Sequence, residues 1–175
     1  DGKNFALMPP ARDHKRIGEN DTGANTGGMG VITDADLLSP EQTKEIIEKI
    51  IKPTLKGAED EGFPFRGILF LGLMMTENGA KVLEYNVRFG DPETQAILVR
   101  LENDFVDVCE AILNQNLDKL FFEWKEGSSA CVVLASKGYP LKPETGDEIK
   151  GLENLVKQDE IIIFHAGTAK DENGK

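Results

Sequence analysis

The strongest constraint on the fold is a β-hairpin predicted over residues 67–88. GILFLGLMMT (67–76) is an almost continuous apolar run, and AKVLEYNVR (80–88) is a second strand-like run. Between them stands Glu77-Asn78-Gly79, and Asn-Gly favours a tight hairpin turn because both residues tolerate a positive φ. We therefore expect the two runs to pair as antiparallel strands.

The second strand of this hairpin ends in an unusual polar face. Side chains alternate along a strand, so Glu84, Asn86 and Arg88 are expected on one face, preceded there by Ala80 and Val82. A carboxylate and an amide oxygen two residues apart can both bind a hard cation such as Mg²⁺, and an arginine beyond them can hold a phosphate. A solvated strand face, or a surface ion pair between Glu84 and Arg88, is the alternative interpretation.

The residues after this strand predict a sharp turn and a helix. Gly90 permits the turn, and Asp91 followed by Pro92 is typical of a helix N-cap with proline at the first position. Free backbone N–H groups at such a helix start attract anions. Metal ligands, a guanidinium and a helix N-terminus would then converge on one place, as phosphoryl transfer requires.

The remainder of the chain predicts a mixture of helices and strands. Ser39, Pro40 and Gln42 form a capping-box start for a helix over 39–62, which Pro53 is expected to kink or split. A second helix is predicted over FVDVCEAIL (105–113), and further strands are predicted over 4–8, 129–136 and 160–166. The expected fold class is therefore α/β, in its α+β form.

Residues 11–30 lack apolar periodicity and are predicted to form a long functional loop. RDHKR (12–16) concentrates basic side chains in an acidic chain, although a solvated charge run would look the same. NTGGMG (25–30) could let backbone N–H groups approach a ligand, and a flexible turn is the alternative. Neither stretch has the GK[ST] of a phosphate-binding P-loop.

Composition excludes some classes of protein. The 175 residues carry a formal net charge of −11, from 20 Lys and Arg against 31 Asp and Glu, which disfavours a nucleic-acid partner. No apolar run reaches the length of a membrane span. Cys109 and Cys131 lie among apolar residues and are predicted to be buried thiols in a cytoplasmic protein. The turn-like start, DGK, and the hairpin-like end, AKDENGK (169–175), suggest a fragment of a longer chain.

Several motifs occur together in a characteristic order. They are PPARDHKR (9–16), NTGGMG (25–30), VLEYNVRFGDPETQ (82–95), ASKGYP (135–140) and FHAGTA (164–169). In these motifs the chain resembles the glycinamide ribonucleotide synthetase (phosphoribosylamine–glycine ligase) family of the ATP-grasp superfamily. The resemblance implies a partial ATP-grasp fold over 1–125, with an antiparallel sheet and flanking helices. It also implies the truncated beginning of a small β-rich C-terminal domain over 126–175.

The resemblance further implies ATP-dependent ligation of glycine to 5-phosphoribosylamine through glycyl phosphate. It makes Glu84 and Asn86 ligands of Mg²⁺ or Mn²⁺, and Arg88 and Asp91 catalytic groups. The remaining residues that it implies in binding substrate or phosphate are Asp13, His14, Lys15, Arg16, Asn25, Thr26, Gly27, Gly28 and Gly30. One departure is that the strand ILFLGLMMT contains no acid, whereas many ATP-grasp enzymes carry a second acidic metal ligand on the strand before this one.

In the family, an N-terminal domain and an ATP-binding lid precede the segment that this chain resembles. We therefore expect the fragment alone to be inactive. Two other interpretations stay open. The motif E-x-N-x-R is shared by other ATP-grasp carboxylate–amine ligases, and a non-catalytic binding domain could use the same scaffold.

Overall fold

The computed structural model describes residues 1–155, 158–170 and 172, and divides the chain into two compact units. The first unit spans Asp1–Leu134 and the second spans Ala135–Lys175. Strands and helices are mixed along the chain, as the predicted α/β class requires. The predicted domain boundary near residue 126 stays a prediction.

The first sheet has three antiparallel strands. They are β1 (Ala11–Gly18), β2 (Thr22–Thr33) and β5 (Ser129–Val132), in the order β1-β2-β5. The prediction of a long loop over 11–30 is therefore wrong. Most of β1 and the first half of β2 are exposed, so their charged and glycine residues meet water while the backbone is paired in a ladder. Such a hairpin leaves no apolar alternation in the sequence.

One face of this sheet is packed against α3 (Glu93–Leu98). On that face Val31 and Thr33 of β2 are almost completely buried, and the Ser129 hydroxyl donates to the carbonyl of Ala96. Ile32, one residue along β2, is 43% exposed. The sheet therefore has a covered face and an open face, and each residue of β1 is assigned to one of them by alternation.

The second sheet is the predicted hairpin, formed by β3 (Phe70–Thr76) and β4 (Gly79–Asn86). Thr76 pairs with Gly79 across the turn, which has φ +87° at Gly79. Both strands are shorter than predicted, and Arg88 lies beyond the end of β4.

The predicted helix over 39–62 forms with an irregular centre. It consists of α1 (Pro40–Ile46), a π-helical turn (Ile47–Ile51) and α2 (Lys52–Asp60). The capping box is confirmed, because the Ser39 hydroxyl accepts from the Gln42 N–H while the Gln42 side chain accepts from the Ser39 N–H. Pro53 lies in the first turn of α2, directly after the wider π turn, where its missing N–H is tolerated.

The helix α4 (Phe105–Leu113) forms where it was predicted, with the Asp104 carboxylate accepting from the Val106 N–H at 2.8 Å. The prediction that Cys109 is buried is wrong, and Cys131 is half-buried. Val108 and Ala111 occupy the covered side of α4, which turns the intervening Cys109 toward solvent. Across the part of the chain that the structure describes, every helix is too short or too polar to cross a membrane.

The start of the chain does not form the strand predicted over 4–8. The Asp1 carboxylate instead accepts from the backbone N–H groups of Lys3, Asn4 and Leu117, at 2.9, 2.7 and 3.0 Å. These bonds fold the first residues into a turn held against the segment after α4. A turn satisfies the backbone locally, so no partner strand is needed.

The second unit is short of regular structure. A turn over 137–140 is stabilised by a bond from the Lys142 N–H to the Gly138 carbonyl, and α5 (Leu152–Leu155) is a single helical turn. The strand predicted over 160–166 does not form, because this unit has no strand to pair with it among the described residues. Among the described residues of 126–175, which were predicted to be rich in β-structure, β5 is therefore the strand that forms. The hairpin turn predicted over 169–175 falls mostly outside the described residues.

Candidate active site

Glu84 and Asn86 share one face of the β3–β4 hairpin, as predicted. Their cross-strand partners are Gly72 and Phe70, which lie two apart on β3. Tyr85, on the opposite face, reaches back to α2, where its hydroxyl lies 2.9 Å from the Thr54 hydroxyl. The face of the hairpin that carries Tyr85 is therefore turned toward α2. Glu84 and Asn86 lie on the other face and point away from this helix.

A bulge in β4 produces this separation. Glu84 pairs with Gly72, but Val82 pairs with Leu73, so Leu83 is an extra residue without a partner. Val82 therefore lies on the face opposite Glu84, and the prediction that Ala80 and Val82 precede Glu84 on its own face is wrong. A bulge shifts the alternation by one residue, so apolar positions before it and polar positions after it need not share a face.

The side chain of Glu84 lies close over Gly72. A Cβ placed on Gly72 would come within 2.7 Å of the Glu84 Cγ and 3.5 Å of its Oε1. Contacts under 3.0 Å are not sustained by real side chains, so the absence of a side chain at Gly72 is what leaves room for this conformation. Gly72 was not predicted as a site residue, and a glycine inside an otherwise apolar strand was the signal for it.

Arg88 lies beyond the strand, and its guanidinium donates to the neighbouring carbonyl of Phe89 at 2.8 Å. The guanidinium is exposed and has further N–H donors beyond this one. The sequence predicts that Glu84, Asn86 and Arg88 all lie on one face of the same strand. In the structure Glu84 and Asn86 lie in the strand, and Arg88 lies at the start of the turn that follows.

The motif RDHKR is divided between the two faces of its sheet. Asp13 and Lys15 lie together on the covered face, with the Lys15 Nζ 2.5 Å from an Asp13 carboxylate oxygen. Both Asp13 oxygens are buried without a well-aligned donor, so this contact is an ion pair in character. The contact with Asp13 raises the pKa of the Lys15 ammonium, and the charges of Glu93 and Glu84 raise it further. The charge of Glu84 is thus felt at Lys15, whose direct partner is Asp13.

Glu93 is a buried carboxylate in this cluster that the sequence analysis missed. It is 5% exposed, and burial raises the pKa of its carboxyl, with the charge of Asp13 adding to the effect and that of Lys15 opposing it. A Cβ on Gly90 would overlap the Glu93 carboxylate. The available signal was spacing, because Glu93 stands three and four residues before the buried Ala96 and Ile97 on the same helix face.

Asp91 does not cap a helix, so that part of the prediction is wrong. The helix α3 begins at Glu93 with Pro92 at the N-cap position, and no side chain caps it. The Asp91 carboxylate accepts instead from the Gln95 side chain at 2.8 Å. The helix start forms near the predicted position without a side-chain cap, and its binding of an anion stays a prediction.

Gly28 joins the glycine-rich stretch to the acidic cluster. Its φ is +139°, and a Cβ there would approach the Pro92 Cδ to 2.6 Å and an Asp13 oxygen to 2.9 Å. Thr26 supports this conformation, because its hydroxyl donates to the Lys15 carbonyl at 2.8 Å and accepts from the Gly28 N–H at 3.1 Å. Gly28 and Thr26 therefore hold β2 against Asp13, Lys15 and the 91–92 turn.

The other residues predicted in binding lie outside this cluster. Asn25 and Gly27 are exposed, Gly30 pairs with His14, and Arg16 pairs with Asn25. His14 lies one step along β1 from Asp13 and therefore on the open face of the sheet. The structure thus brings together Asp13, Lys15, Gly28, Asp91 and Glu93, with the charge of Glu84 acting on Lys15, and it leaves His14 and Arg16 apart from them.

The described residues contain no group of three or more His, Cys, Asp or Glu side chains arranged to hold a metal ion. Glu84 and Asn86 together offer one carboxylate and one amide oxygen. That donor set suits Mg²⁺, which takes few protein ligands and completes its octahedron with water and phosphate oxygens. The pair would not make a self-sufficient site for a metal that needs four protein ligands.

Comparison with known proteins places this arrangement in a family. Residues 1–94 match the ATP-grasp (A) domain of phosphoribosylglycinamide synthetase, and residues 129–175 match its C domain. The phosphoribosylamine–glycine ligase of Brucella melitensis is 44% identical over 97% of this chain, and that of Vibrio parahaemolyticus is 46% identical over 96%. The chain spans about 40% of the length of these curated relatives.

A solved structure agrees with the sequence comparison. The crystal structure of phosphoribosylamine–glycine ligase from Thermotoga maritima superposes with a TM-score of 0.78 at 40% identity, covering 98% of this chain and 41% of that one. At this identity the likeness extends beyond fold alone. The chain therefore belongs to the phosphoribosylglycinamide synthetase family, of which it carries an ATP-grasp portion and a C-domain portion.

Proposed function

We propose that the full-length protein containing this chain is an ATP-dependent ligase that joins glycine to 5-phosphoribosylamine. In this reaction the γ-phosphoryl group of ATP passes to the glycine carboxylate. The amine of phosphoribosylamine then attacks the acyl carbon, the new C–N bond forms, and phosphate leaves. Family membership supports the substrates, and a cytoplasmic location is part of the proposal.

The observation that carries the proposal is the placement of Glu84 and Asn86 on one face of the hairpin. We infer that these two residues bind Mg²⁺ or Mn²⁺ together with phosphate oxygens of ATP. The fit is supported by the open position over Gly72, where the Glu84 side chain has room to lie. Bound there, the cation would neutralise charge on the phosphates during transfer.

The chain's own residues supply positioning and counter-charge. Lys15 is held by Asp13 and keeps its positive charge, because the contact raises its pKa. Arg88 is exposed and presents guanidinium donors at the end of the same strand, where they can bind a phosphoryl or acyl-phosphate oxygen. Asp91 stays a catalytic candidate, with its carboxylate oriented by Gln95.

The decisive experiment measures ADP formation by the full-length protein. We expect turnover that requires both glycine and phosphoribosylamine, and no turnover when formate or bicarbonate replaces glycine. Formate and bicarbonate are the substrates that other ligases of the ATP-grasp group would use in place of glycine. Turnover with either of them, or ATP hydrolysis independent of glycine, would contradict the proposal.

The metal assignment is tested by Glu84→Gln in the same protein. Loss of the carboxylate is expected to raise the Mg²⁺ concentration for half-maximal rate by at least about 10–100-fold, the loss that follows removal of an outer-shell partner of a metal ligand. Glu77→Gln is a matched control, because Glu77 is an exposed acid in the turn of the same hairpin. If both variants show the same metal dependence, Glu84 is not a ligand.

A further inference from the structure

A strand from the C-domain match is built into the first sheet. β5 opens the segment that matches the C domain, yet it pairs with β2, where Gly30 lies opposite Val132. The Val133 N–H extends this ladder by donating to the Met29 carbonyl at 3.0 Å. Both β2 residues directly follow Gly28, which packs against the acidic cluster. This part of β2 is therefore held by β1 on one edge and by β5 on the other.

The connector, defined as residues 123–128, leads into β5 and is held by Arg100. Arg100 is 6% exposed, and its Nε and Nη2 donate to the Lys125 carbonyl at 3.4 and 3.2 Å. The Lys125 N–H in turn donates to the Arg100 carbonyl at 2.8 Å. A bridge between Leu101 and Trp124 continues this pairing. Arg100 therefore binds both backbone polar groups of one connector residue.

Packing alone does not account for an arginine at this position. Its Nη1 is buried without a hydrogen-bond partner, and among the described residues no carboxylate lies within ion-pair distance of the guanidinium. Burying a charge without a counter-ion costs free energy, and an apolar side chain of similar volume is often equally stabilising or more so. An apolar side chain cannot reproduce the two bonds to the Lys125 carbonyl. The guanidinium therefore contributes a fixed position for the connector.

The end of the connector and the start of β5 are attached at two further points. The Ser128 hydroxyl donates to the Asp34 carboxylate just beyond β2, and the Ser129 hydroxyl donates to the Ala96 carbonyl in α3. The same helix begins at Glu93, the buried carboxylate of the acidic cluster. β5 has only four residues, so its register on β2 depends on how the chain enters it. A shift of the connector would therefore displace β5 and α3 together, and Glu93 with them.

We propose that Arg100 is a positioning residue for the candidate active site. It fixes the connector, and the connector fixes the register of β5 on β2. β5 then holds Gly28 and α3 in the arrangement that the acidic cluster requires. This inference rests on the proposed function, because the residues that are positioned belong to the proposed ligase site. It also makes the first strand of the C-domain match part of the support of that site.

The first test is amide hydrogen exchange of the full-length protein, measured by mass spectrometry over residues 29–33 and 129–133. Arg100→Met keeps a long side chain but removes the charge and both bonds to the connector. We expect exchange in these two segments to become faster by about tenfold or more, because bonds from a charged donor are lost, while exchange in α1 and α2 stays unchanged. Lys125→Met is the matched control. It removes a charge from the connector but leaves the Lys125 carbonyl in place, so exchange should stay at the wild-type rate.

Turnover separates positioning from packing. A residue that only fills space should tolerate methionine, with an unchanged rate and a melting temperature at or above that of the wild type. We expect kcat of Arg100→Met to fall by about tenfold or more, because a displacement of about 1 Å can cost about 100-fold in rate. KM for ATP should stay near the wild-type value, since the proposed metal ligands lie on the second sheet. Arg100→Lys keeps the charge and can donate one bond to the carbonyl, so it should recover part of the loss in kcat.

Several results would overturn the inference. Wild-type exchange in Arg100→Met would do so, and so would faster exchange spread equally over residues 40–60, which indicates global destabilisation. Local loosening without a loss of kcat would refute the role in positioning. If Arg100→Met does not fold, Arg100→Lys decides. A rise in exchange confined to the two strand segments then supports the inference, and wild-type or uniformly faster exchange overturns it.

The exchange measurement also separates this inference from the proposed function, because it does not depend on catalysis. Absence of glycine-dependent ADP formation by the wild-type protein would refute the ligase assignment, while faster local exchange in Arg100→Met would still support the hold of Arg100 on the connector. Full ligase activity in Arg100→Met would leave the ligase assignment intact and refute the positioning role alone.

Discussion

Replacing Gly28 by alanine should strongly destabilise the first unit. At φ +139° an alanine is strained, at a cost of about 1–3 kcal/mol. Its Cβ would also overlap the Pro92 ring at 2.6 Å and an Asp13 oxygen at 2.9 Å, and forced overpacking costs a further ~1–3 kcal/mol. Because the Pro92 ring is rigid and the Asp13 carboxylate oxygens are buried, neither neighbour can move aside easily. The free energy of unfolding should therefore fall by about 2–6 kcal/mol, a large part of a typical total.

Gly57→Ala is the matched control for this prediction. Gly57 lies inside α2, and a Cβ there would meet nothing within 4 Å. The same substitution should then stabilise the protein by about 0.5–1 kcal/mol, the helix preference for alanine over glycine. Urea unfolding followed by circular dichroism measures both changes, provided the two variants share the wild-type m-value. A Gly28→Ala change within about 0.5 kcal/mol of wild type would refute the packing described for β2.

Three further substitutions test separate parts of the structure. Ser39→Ala removes the N-cap of α1 and should lower the free energy of unfolding by about 0.5–2 kcal/mol, measured by urea titration. Asp1→Ala leaves the buried Leu117 N–H without its acceptor and should cost about 1–3 kcal/mol, whereas Asp118→Ala at an exposed position should cost little; equal losses would contradict the role of Asp1. Glu93→Gln tests pH dependence. The pKa of Glu93 is raised in the folded state, so its stability contribution is present at low pH and is lost as pH rises from the ordinary glutamate value through the raised one. The Gln variant should therefore gain stability relative to wild type as the pH rises above the ordinary glutamate value of about 4.3, and a constant difference would argue against a buried carboxyl.

Local signals predicted the elements that depend on local chemistry. The Asn78-Gly79 turn and the capping box at Ser39 were correct because each is set by a few neighbouring residues. The bulge at Leu83 could not be predicted, since it depends on how β4 aligns with β3. Alternation nevertheless placed Glu84 and Asn86 on a shared face, because both lie on the same side of the bulge.

Elements that depend on distant partners were not predictable from sequence. The β1–β2 hairpin is built from exposed charged and glycine residues, so it lacks the apolar alternation that marks a strand. Residues 4–8 and 160–166 have strand-like composition but form no ladder. Glu93 escaped notice for a related reason, because its burial is produced by packing of α3 on the first sheet.

The division of β1 between two faces has a consequence for mutational coupling. Asp13 and Lys15 are in contact, so the energetic effects of replacing them should be strongly non-additive. Asp13 and His14 are adjacent in sequence but project to opposite sides, so their effects should sum. The coupling energy measured by double-mutant cycles should therefore alternate between large and small values along this strand, with a period of two residues. In such a motif, neighbouring residues in the sequence are energetically independent of each other. Evolution can therefore change the residues on one face of the strand while those on the other face stay constant.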